Sequence, residues 1–587
     1  MTALVAELSA IAAAAFAAEG LSPAFGHVQV SDRPDLAQFQ CNGALPAAKE
    51  AKTNPRAIAE KIAARLKENP LFSKVEIAGP GFINLDVNDA ALNDRVSQQA
   101  GDARLGIPEI GAGKTLVIDF GGPNVAKAMH VGHLRTAIIG DCLQRLFRAN
   151  GWKVISDAHL GDWGLQMGQL LMEVKRRGIA PIYFDENVSG PYPETSPVSM
   201  DDLEVLYPAA SAACKADPER LDEARKATAE LQAGRPGYRA LWRHFVKVSE
   251  AGLIREYDSL GVSFDLWKGE SDADPLIPAM VDDLKAQGLA VMDQGALVVF
   301  VAKNTDKKEM PPLILLKSDG ASIYATTDLA TIVDRVKTYD PDVIQYVVDH
   351  RQHQHFEQVF RAAELGKLNG HALLEHIGYG TVNGTDGKPF KTRAGGTLKL
   401  FDLISMAVEE AEKRMAEQGI GKDYSPDERA VIAKQVGVAA IKFADLSNYR
   451  LTDYIFDLSR FTRFEGKTGP YLQYATVRMA SILRKAKEEG KAVGTPGIHS
   501  KEERELVLQF LALPDAMAKT EANRAPNILC DYAFTLAQSF SRFYSEHHIL
   551  SESDEGLRAS RLGLVQLTLA VLAHVLGILG IEVPERM

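Results

Sequence analysis

Two histidines at a fixed spacing, His130 and His133, are the residues of this sequence best suited to phosphate chemistry. They follow the apolar run 116–120 and begin a helix-like pattern that ends near Gly151. Residues three apart on a helix share a face, and a helix N-terminus beside the carboxyl end of a strand favours bound phosphate. Gly132 between them lets the backbone approach a ligand. The pattern predicts a nucleotide site, although such a pair can also cap a helix or pack against it.

A second basic element, residues 388–393 (KPFKTR), lies in a glycine-rich stretch. Lys388 and Lys391 could neutralise a leaving pyrophosphate, and Lys127 adds positive charge three residues before His130. A basic turn is also typical of a solvated surface loop, so its position after the histidine pair is what makes it a candidate.

The elements that position these residues alternate between strands and helices from Lys114 onward. Apolar runs predict strands at 115–120, 153–156, 297–302, 312–316 and 343–349. This alternation favours a doubly wound parallel sheet, in which ligands bind at the carboxyl ends of the strands. The interval of about 175–295 is predicted to be an insertion.

Both ends of the chain follow other patterns. Residues 1–110 form a first unit, with helix-like segments near 3–18 and 55–68 and strand-like segments near 27–30 and 82–87. From about residue 400 the apolar spacing is helical and predicts a bundle, with helices at 429–447, 471–487, 501–513, 527–546 and 557–579.

Composition restricts the partners only weakly. The 587-residue chain has 66 Lys and Arg against 77 Asp and Glu, a net charge of −11, so bulk charge does not indicate a nucleic-acid partner. Local basic stretches at 49–67 and 127–153 are compatible with one. The cysteines lack the C-x-x-C spacing of a zinc ribbon or a disulfide framework, which favours unpaired thiols in a reducing cytosol.

One apolar segment, 562–581, carries no formal charge and is long enough to span a membrane. Gln566, Thr568 and His574 within it favour instead a buried helix of a bundle. A membrane-spanning helix is the less favoured alternative.

The segment Pro123–Arg135 (PNVAKAMHVGHLR) resembles the HIGH signature of class I aminoacyl-tRNA synthetases, and with its flanks it is similar to arginyl-tRNA synthetases of the bacterial type. Further family-like segments follow in the expected order, at 157–168, 318–328, 346–356, 387–396 and 469–478. The resemblance covers nearly the whole chain. It implies an α/β fold with a Rossmann-type (HUP-like) parallel-sheet catalytic domain at 113–396, an α+β N-terminal additional domain at 1–110, and an all-α linker and anticodon-binding bundle at 397–587.

The resemblance also implies a reaction. L-Arginine would be activated with ATP and Mg²⁺ to arginyl-adenylate and transferred to the 2′-hydroxyl of the terminal adenosine of tRNA(Arg), with release of AMP and pyrophosphate. Lys388 and Lys391 match the two lysines of the family's KMSKS loop and, with the two histidines, are implied to be catalytic. The residues implied to bind ATP are Lys127, His130, Gly132, His133, Lys388 and Lys391. Mg²⁺ is expected to arrive with ATP, no structural metal is expected, and the protein is expected to be a cytoplasmic monomer without a membrane partner.

Selection of arginine would depend on carboxylates, because Asp or Glu can bind a guanidinium group through two parallel hydrogen bonds. Asp119 ends the strand before the histidine pair, and Asp328 lies one helical turn after Tyr324, so both are candidates. Asn124, Tyr324 and Gln352 match family positions that contact arginine. By residue type alone, Asp328 could equally cap a helix and Asp119 could lie on an edge strand.

Contacts with RNA are expected toward both ends of the chain. Tyr471 and Tyr474, one turn apart, and Arg478 beyond them could offer aromatic faces and a cation to unstacked anticodon bases. An aromatic pair on a helix is also commonly part of a core. The resemblance also implies that Met587 binds tRNA. It further implies that Phe82 and Asn84 contact a D-loop nucleotide.

Other hypotheses stay open. His350, His353 and His355 could hold a metal, but the pattern lacks a clear fourth ligand. The chain could also be a synthetase-like protein that binds RNA without charging it, or an enzyme that adenylylates a different acceptor. The intact histidine pair argues against a protein that only binds RNA. The helical carboxyl-terminal third argues against an enzyme that adenylylates a different acceptor.

Overall fold

The chain folds into two compact units. The computed structural model describes residues 3–33, 35–318, 320–384, 386–388 and 398–587. The central unit comprises Gly111–Arg463 with Leu579–Ile581. The terminal unit comprises Met1–Ile110, Phe464–Ile578 and Glu582–Met587. The histidine pair and the candidate arginine-binding residues all belong to the central unit.

The strands of the described residues are short. In chain order they are β1 (Val28–Val30), β2 (Phe39–Cys41), β3 (Phe72–Ala78), β4 (Phe82–Val87), β5 (Thr115–Phe120), β6 (Lys153–Asp157), β7 (Ala290–Asp293), β8 (Ala296–Val299), β9 (Leu313–Leu316), β10 (Val343–Val347), β11 (Leu373–His376), β12 (Val382–Asn383) and β13 (Tyr454–Ile455).

The helices account for most of the regular structure. They are α1 (Leu4–Ala18), α2 (Ala44–Ala51), α3 (Pro55–Lys67), α4 (Asp89–Gly101), α5 (Leu134–Ala149), α6 (Leu165–Arg176), α7 (Met200–Ala216), α8 (Pro218–Gln232), α9 (Pro236–Ser259), α10 (Glu270–Ala273), α11 (Ile277–Ala286), α12 (Tyr324–Tyr339), α13 (His353–Leu365), α14 (Leu400–Gln418), α15 (Pro426–Leu446), α16 (Leu458–Phe461), α17 (Gly469–Glu488), α18 (Lys501–Leu511), α19 (Leu513–Asn523), α20 (Asn527–Glu546) and α21 (Glu555–Ile578). Short 3₁₀ turns lie at Pro23–Gly26, Val131–His133, Pro181–Tyr183, Asp274–Leu276 and His350–Gln352.

A four-stranded parallel sheet, in the order β11-β10-β5-β6, organises the central unit. Every residue of β10 is buried, as expected for a central strand covered by helices on both faces. The register places Asp119 of β5 between Tyr346 of β10 and Asp157 of β6. Because parallel strands end at the same edge, polar side chains of all three strands meet there. The expected parallel sheet is confirmed.

Two of the predicted strands are placed wrongly by the sequence analysis. The segments expected at 297–302 and 312–316 contribute β8 and β9 to a separate antiparallel sheet, β7-β8-β9. The reason is a tight hairpin between β7 and β8, in which Gln294 and Gly295 both have positive φ angles, 47° and 83°. The parallel sheet instead gains β11, a short and mostly half-exposed edge strand that has no long apolar run.

The helix that follows the histidine pair begins later than the sequence predicts. The backbone at His130 is extended, with φ −123° and ψ 168°, and a 3₁₀ turn over Val131–His133 leads into α5 at Leu134. The histidines therefore lie at the entrance of the helix and not on its first regular turn. This position leaves the backbone N–H groups of the turn available to the imidazoles.

The terminal unit combines an antiparallel sheet, β1-β2-β4-β3, with the helices α17–α21. Gln99 of α4 donates through its side-chain amide to the carbonyl of Phe510 in α18, at 2.8 Å. The helix expected at 501–513 is two helices, α18 and α19, because the helix breaks at Ala512 before Pro514. Among the described helices, only α21 is long and apolar enough to cross a membrane, and 67% of its most apolar window is buried.

Candidate functional site

A cavity of about 880 Å³ lies at the carboxyl ends of the parallel strands. Most of the sequence-predicted ATP and arginine residues line it: Asp119, Asn124, His130, Gly132, His133, Tyr324, Asp328 and Gln352. Lys127 and Lys388 are not part of its lining. Lys391 lies outside the described residues. The structure therefore brings residues together from segments that are far apart in the sequence.

The histidine pair forms one compact face, with ring centroids 4.1 Å apart. Nδ1 of His130 accepts a hydrogen bond from the backbone N–H of Gly132 at 3.0 Å, and Nδ1 of His133 accepts from the N–H of His130 at 3.2 Å. A neutral imidazole whose Nδ1 accepts must carry its hydrogen on Nε2. Both rings therefore hold an Nε2–H that can donate to a ligand.

The charge state of the pair follows from burial. Burial, reinforced by the neighbouring His130 and Lys127, lowers the pKa of His133 to about 3. Burial also lowers the pKa of His130, and the charge of Lys127 acts in the same direction. The two rings are thus neutral donors at pH 7, and in the protein without ATP they add no positive charge to the cavity.

Gly132 is required by the ring of His130. A Cβ atom at residue 132 would lie 2.6 Å from Cε1 and 2.7 Å from Nδ1 of His130. Any larger residue would push the imidazole off the backbone N–H that fixes its orientation. The glycine of the signature therefore sets the direction of a side chain as well as permitting close approach of a ligand.

The segment after the second basic element pairs with the signature. Leu400 donates its backbone N–H to the carbonyl of Met129 at 3.0 Å, and Val131 donates to the carbonyl of Leu398 at 3.1 Å. Residues 398–400, a few positions after the second basic element, are therefore held beside the histidine pair. Lys388 itself has an exposed side chain. Lys127 packs its Nζ 4.9 Å from the ring centroid of Tyr207.

The other part of the cavity is acidic. Asp328 on α12 contacts Nε2 of His355, at 2.5 Å, and its side chain is 27% exposed. Tyr324 begins the same helix, one turn earlier, and is 68% exposed. His355, one of the three histidines considered for a metal, is thus a hydrogen-bond partner of Asp328.

Glu270 is a cavity residue that the sequence analysis missed. It begins the four-residue helix α10 and faces the backbone N–H of Trp163. Burial, reinforced by the charge of Asp162, raises the pKa of Glu270 to about 7. Among the described residues, Glu270 has no lysine or arginine partner within ion-pair distance. No sequence motif marks Glu270. The residue reaches the site only because Leu266 and Gly269 pair with Asp157 and Leu160, at the end of β6 and just beyond it.

Two polar residues from separate segments are also held at the cavity wall. Asn124 bridges to Gly161, and its Oδ1 accepts from Nε2 of Gln166 at 3.2 Å. A Cβ at Gly161 would come within 2.3 Å of that oxygen, so the glycine is needed for this contact. Gln352 lies in the 3₁₀ turn that precedes α13.

The predicted RNA-binding residues belong to the terminal unit. Tyr471 packs edge-on against Phe534, while Tyr474 is 42% exposed. The guanidinium of Arg478 lies 4.2 Å from the ring centroid of Tyr544, beside a second cavity of about 410 Å³. The remaining three lie elsewhere in this unit: Phe82 is partly buried on β4, Asn84 is buried on the same strand, and Met587 is partly exposed at the end of the chain.

Comparison with known proteins identifies the family. The family model for "tRNA synthetases class I (R), catalytic domain" matches residues 96–458. The "Arginyl tRNA synthetase N terminal domain" matches 2–87, and the "DALR anticodon binding domain" matches 472–587.

Curated relatives and solved structures agree with these matches. The arginine–tRNA ligases of Maricaulis maris and Hyphomonas neptunium are each 55% identical to the chain, over 100% of both chains. The arginyl-tRNA synthetase structures from Plasmodium falciparum and Thermus thermophilus share its fold over 100% of both chains, with TM-scores of 0.83 and 0.79 at 24% and 23% identity. The chain belongs to the arginyl-tRNA synthetases of class I.

Proposed function

We propose that the cavity of the central unit binds ATP at the histidine pair and L-arginine at the acidic part. The chain is an arginine–tRNA ligase: it activates L-arginine with ATP to arginyl-adenylate and transfers the arginyl group to the 2′-hydroxyl of the terminal adenosine of tRNA(Arg), with release of AMP and pyrophosphate. The observation that carries the assignment of residues is that Nε2–H donors and carboxylates line one cavity.

Activation needs no nucleophile from the protein. The arginine carboxylate attacks the α-phosphorus of ATP, and the new phosphorus–oxygen bond forms as the bond to pyrophosphate breaks. His130 and His133 donate from Nε2 to phosphate oxygens as negative charge grows on them. Lys388 and Lys391 are proposed to stabilise the leaving pyrophosphate, and Lys127 to add positive potential nearby.

Mg²⁺ is proposed to arrive on the ATP phosphates. Among the described residues, only Asp119, Asp157 and His159 have possible ligand atoms close enough to share one cation. Arg335 already donates to both of these carboxylates, so this group does not fit a resident metal. When bound with ATP, Mg²⁺ would neutralise phosphate charge, while the protein orients the reactants.

Arginine recognition is proposed to centre on Asp328, with Glu270 as the second carboxylate. A planar guanidinium can donate to both groups, whereas an ammonium does not match that geometry. A neutral isostere would leave a partly buried carboxylate unpaired. Asp119, Asn124, Tyr324 and Gln352 complete the amino-acid site, since they line the same cavity.

The terminal unit is proposed to bind tRNA(Arg). Tyr471, Tyr474 and Arg478 on α17 would receive unstacked anticodon bases, with Met587 contributing at the end of the chain. Residues 1–110 would contact the D-loop through Phe82 and Asn84. Replacing the exposed Tyr474 with Ala should raise the KM for tRNA about tenfold in charging without changing the KM for arginine at saturating tRNA, whereas Tyr424→Ala, outside this unit, should change neither.

We further propose a cytoplasmic monomer without a membrane partner. Helix α21 packs against α17, α18 and α20, as a core helix of a bundle does. Sedimentation of the purified protein would test the monomer.

Arginine-dependent ATP–pyrophosphate exchange, with and without tRNA, tests the proposed function. Exchange with arginine, and none with lysine, supports the assignment, and its dependence on tRNA shows whether RNA participates in activation. No exchange under either condition would favour a protein that binds RNA without charging it. Exchange with another amino acid would overturn the arginine site.

A further inference from the structure

A guanidinium that belongs to the protein itself is buried against Asp119, a residue of the cavity lining. Arg335 lies on α12, two helical turns after Asp328, and is only 2% exposed. One of its terminal nitrogens, Nη2, donates to Oδ2 of Asp119 at 2.6 Å and to Oδ2 of Asp157 at 2.9 Å. Its Cζ also lies 5.2 Å from the ring centroid of Tyr346. The strands β5, β6 and β10 therefore each contribute one contact to Arg335 near their carboxyl ends.

The contacts of Arg335 reduce the repulsion between two carboxylates that the sheet register places side by side. Asp119 and Asp157 are register partners on adjacent parallel strands, so their charges are forced close together. Asp157 also contacts Nδ1 of His159 at 3.3 Å, and Nε2 of that ring faces Thr331 at 3.4 Å. Two adjacent buried carboxylates repel unless a cation is shared between them. Arg335 supplies that cation.

The cavity thus contains two classes of carboxylate. Asp119 is engaged by Arg335, whereas Asp328 and Glu270 have no arginine or lysine partner within the part of the chain that the structure describes. An incoming guanidinium meets at Asp119 a carboxylate that already accepts from Arg335, and at Asp328 and Glu270 carboxylates without such a partner; Asp328 is instead hydrogen-bonded to His355. The two classes differ in chemistry although they line the same cavity.

We infer that Arg335 is a positioning residue that determines which carboxylates receive the guanidinium of the substrate. By donating to both Asp119 and Asp157, it weakens the attraction of the strand ends for the side chain of arginine and directs that side chain to Asp328 and Glu270. It also fixes the orientation of Asp119 through Oδ2. This inference depends on the proposed arginine site.

The test is chemical rescue of Arg335→Ala with guanidinium chloride at millimolar concentration. Removal of Arg335 should lower both the kcat and the KM for arginine about 100-fold in ATP–pyrophosphate exchange, because substrate guanidinium held at the unpaired carboxylates is bound nonproductively, while the KM for ATP changes little. Free guanidinium should fill the vacated place and restore most of the loss. Methylammonium, which lacks the planar donors, should not. In the wild-type protein, guanidinium should only inhibit.

A second readout does not depend on the reaction. Guanidinium at the same concentration should raise the Tm of Arg335→Ala above that with methylammonium, but should not raise the Tm of the wild-type protein. If Arg335→Ala does not fold, the double variant Arg335→Ala/Asp157→Asn, which leaves one buried carboxylate, is used in the same two assays. Arg335→Lys should keep the fold and restore only part of the lost kcat.

Three results would overturn the inference: a folded Arg335→Ala with the arginine KM of the wild-type protein, activity loss that guanidinium does not restore, or equal Tm responses to guanidinium and methylammonium. Failure of the proposed function is a different result, because the wild-type protein would then lack arginine-dependent exchange. The Tm comparison would still report whether a guanidinium occupies the Arg335 position.

Discussion

Burial shifts the pKa values at the two ends of the cavity in opposite directions, and at each end it favours the uncharged form. At the signature end, burial lowers the pKa of His130 and His133, so both rings are neutral donors. At the acidic end, burial raises the pKa of Glu270 to about 7, so this carboxylate is only partly ionised at neutral pH. The first end offers directed N–H groups and the second offers negative charge.

This difference indicates how one cavity can bind an anion and a cation side by side. A permanent positive charge at the histidines would attract triphosphate but would repel the guanidinium, since charges within one low-dielectric cavity act over its whole width. Oriented neutral donors bind phosphate without that penalty. Selectivity for the cation is then left to Asp328 and Glu270. The two ends should therefore respond differently to substitution and to pH.

Substitution of His130 by Ala should have the largest effect. It removes an Nε2–H donor from the phosphate end, and loss of one such donor lowers kcat about 10²- to 10³-fold, with the KM for arginine nearly unchanged. Exchange kinetics measure both constants. His371→Ala, at an exposed histidine, serves as the control. A rise in the arginine KM alone would mean that His130 does not belong to the phosphate end.

Replacement of Asp328 by Asn should affect the other end selectively. The loss of a mostly buried carboxylate from guanidinium recognition corresponds to about 2 kcal/mol, or roughly a 30-fold rise in the arginine KM, with the ATP KM unchanged. Asp340→Asn, on an exposed residue just after the same helix, is the matched control. Equal losses for arginine and ATP would show that the two ends are not independent.

The pH dependence of arginine binding should distinguish the ends further. Below a pKa of about 7, Glu270 is protonated and no longer attracts a cation, so arginine affinity should rise as pH increases from 6 to 8, by about tenfold. Arginine KM measured across this range should show the slope, and Glu270→Gln should remove it. The slope should not appear in the ATP KM, because Glu270 belongs to the acidic end and burial lowers the pKa of both histidines. A slope that persists in Glu270→Gln would assign it to another group.

Replacement of Lys388 by Ala should have the smallest effect, because its side chain is exposed. Neutralisation of pyrophosphate by a solvated cation is worth about 1 kcal/mol, which predicts a roughly fivefold fall in kcat. Lys307→Ala, at another surface lysine, should leave the rate unchanged. If Lys388→Ala changed the arginine KM instead, the lysine would act at the acidic end of the cavity and not on pyrophosphate.

The fold was predictable where local pattern and burial agree. The apolar run at 115–120 predicts β5 at its observed bounds, and the helical spacing at 527–546 predicts α20 in the same way. The antiparallel sheet β7-β8-β9 was not predicted. The apolar run of a strand does not determine which strands it pairs with, because that pairing depends on contacts distant in sequence. β11 was missed since an edge strand needs fewer apolar residues.

The site was predictable where residues occur within a motif. The histidine pair and the Tyr324–Asp328 spacing place side chains that the structure brings to one cavity. Glu270 could not be found, since nothing in its neighbourhood marks an isolated acid near the start of a four-residue helix. Arg335 did leave a signal: it occupies a buried position on α12, one turn after Thr331 and Ile332, and a cation among buried positions of a helix indicates a buried ion pair.

The discrimination between arginine and citrulline shows whether the carboxylates select the substrate by its charge. Citrulline has nearly the shape of arginine but no charge, so ATP–pyrophosphate exchange with each amino acid isolates the contribution of the carboxylates. We expect a kcat/KM about 10³-fold higher for arginine in the wild-type protein, and at least a tenfold smaller ratio in Asp328→Asn. The same ratio in both proteins would contradict selection of the substrate by charge at this end of the cavity.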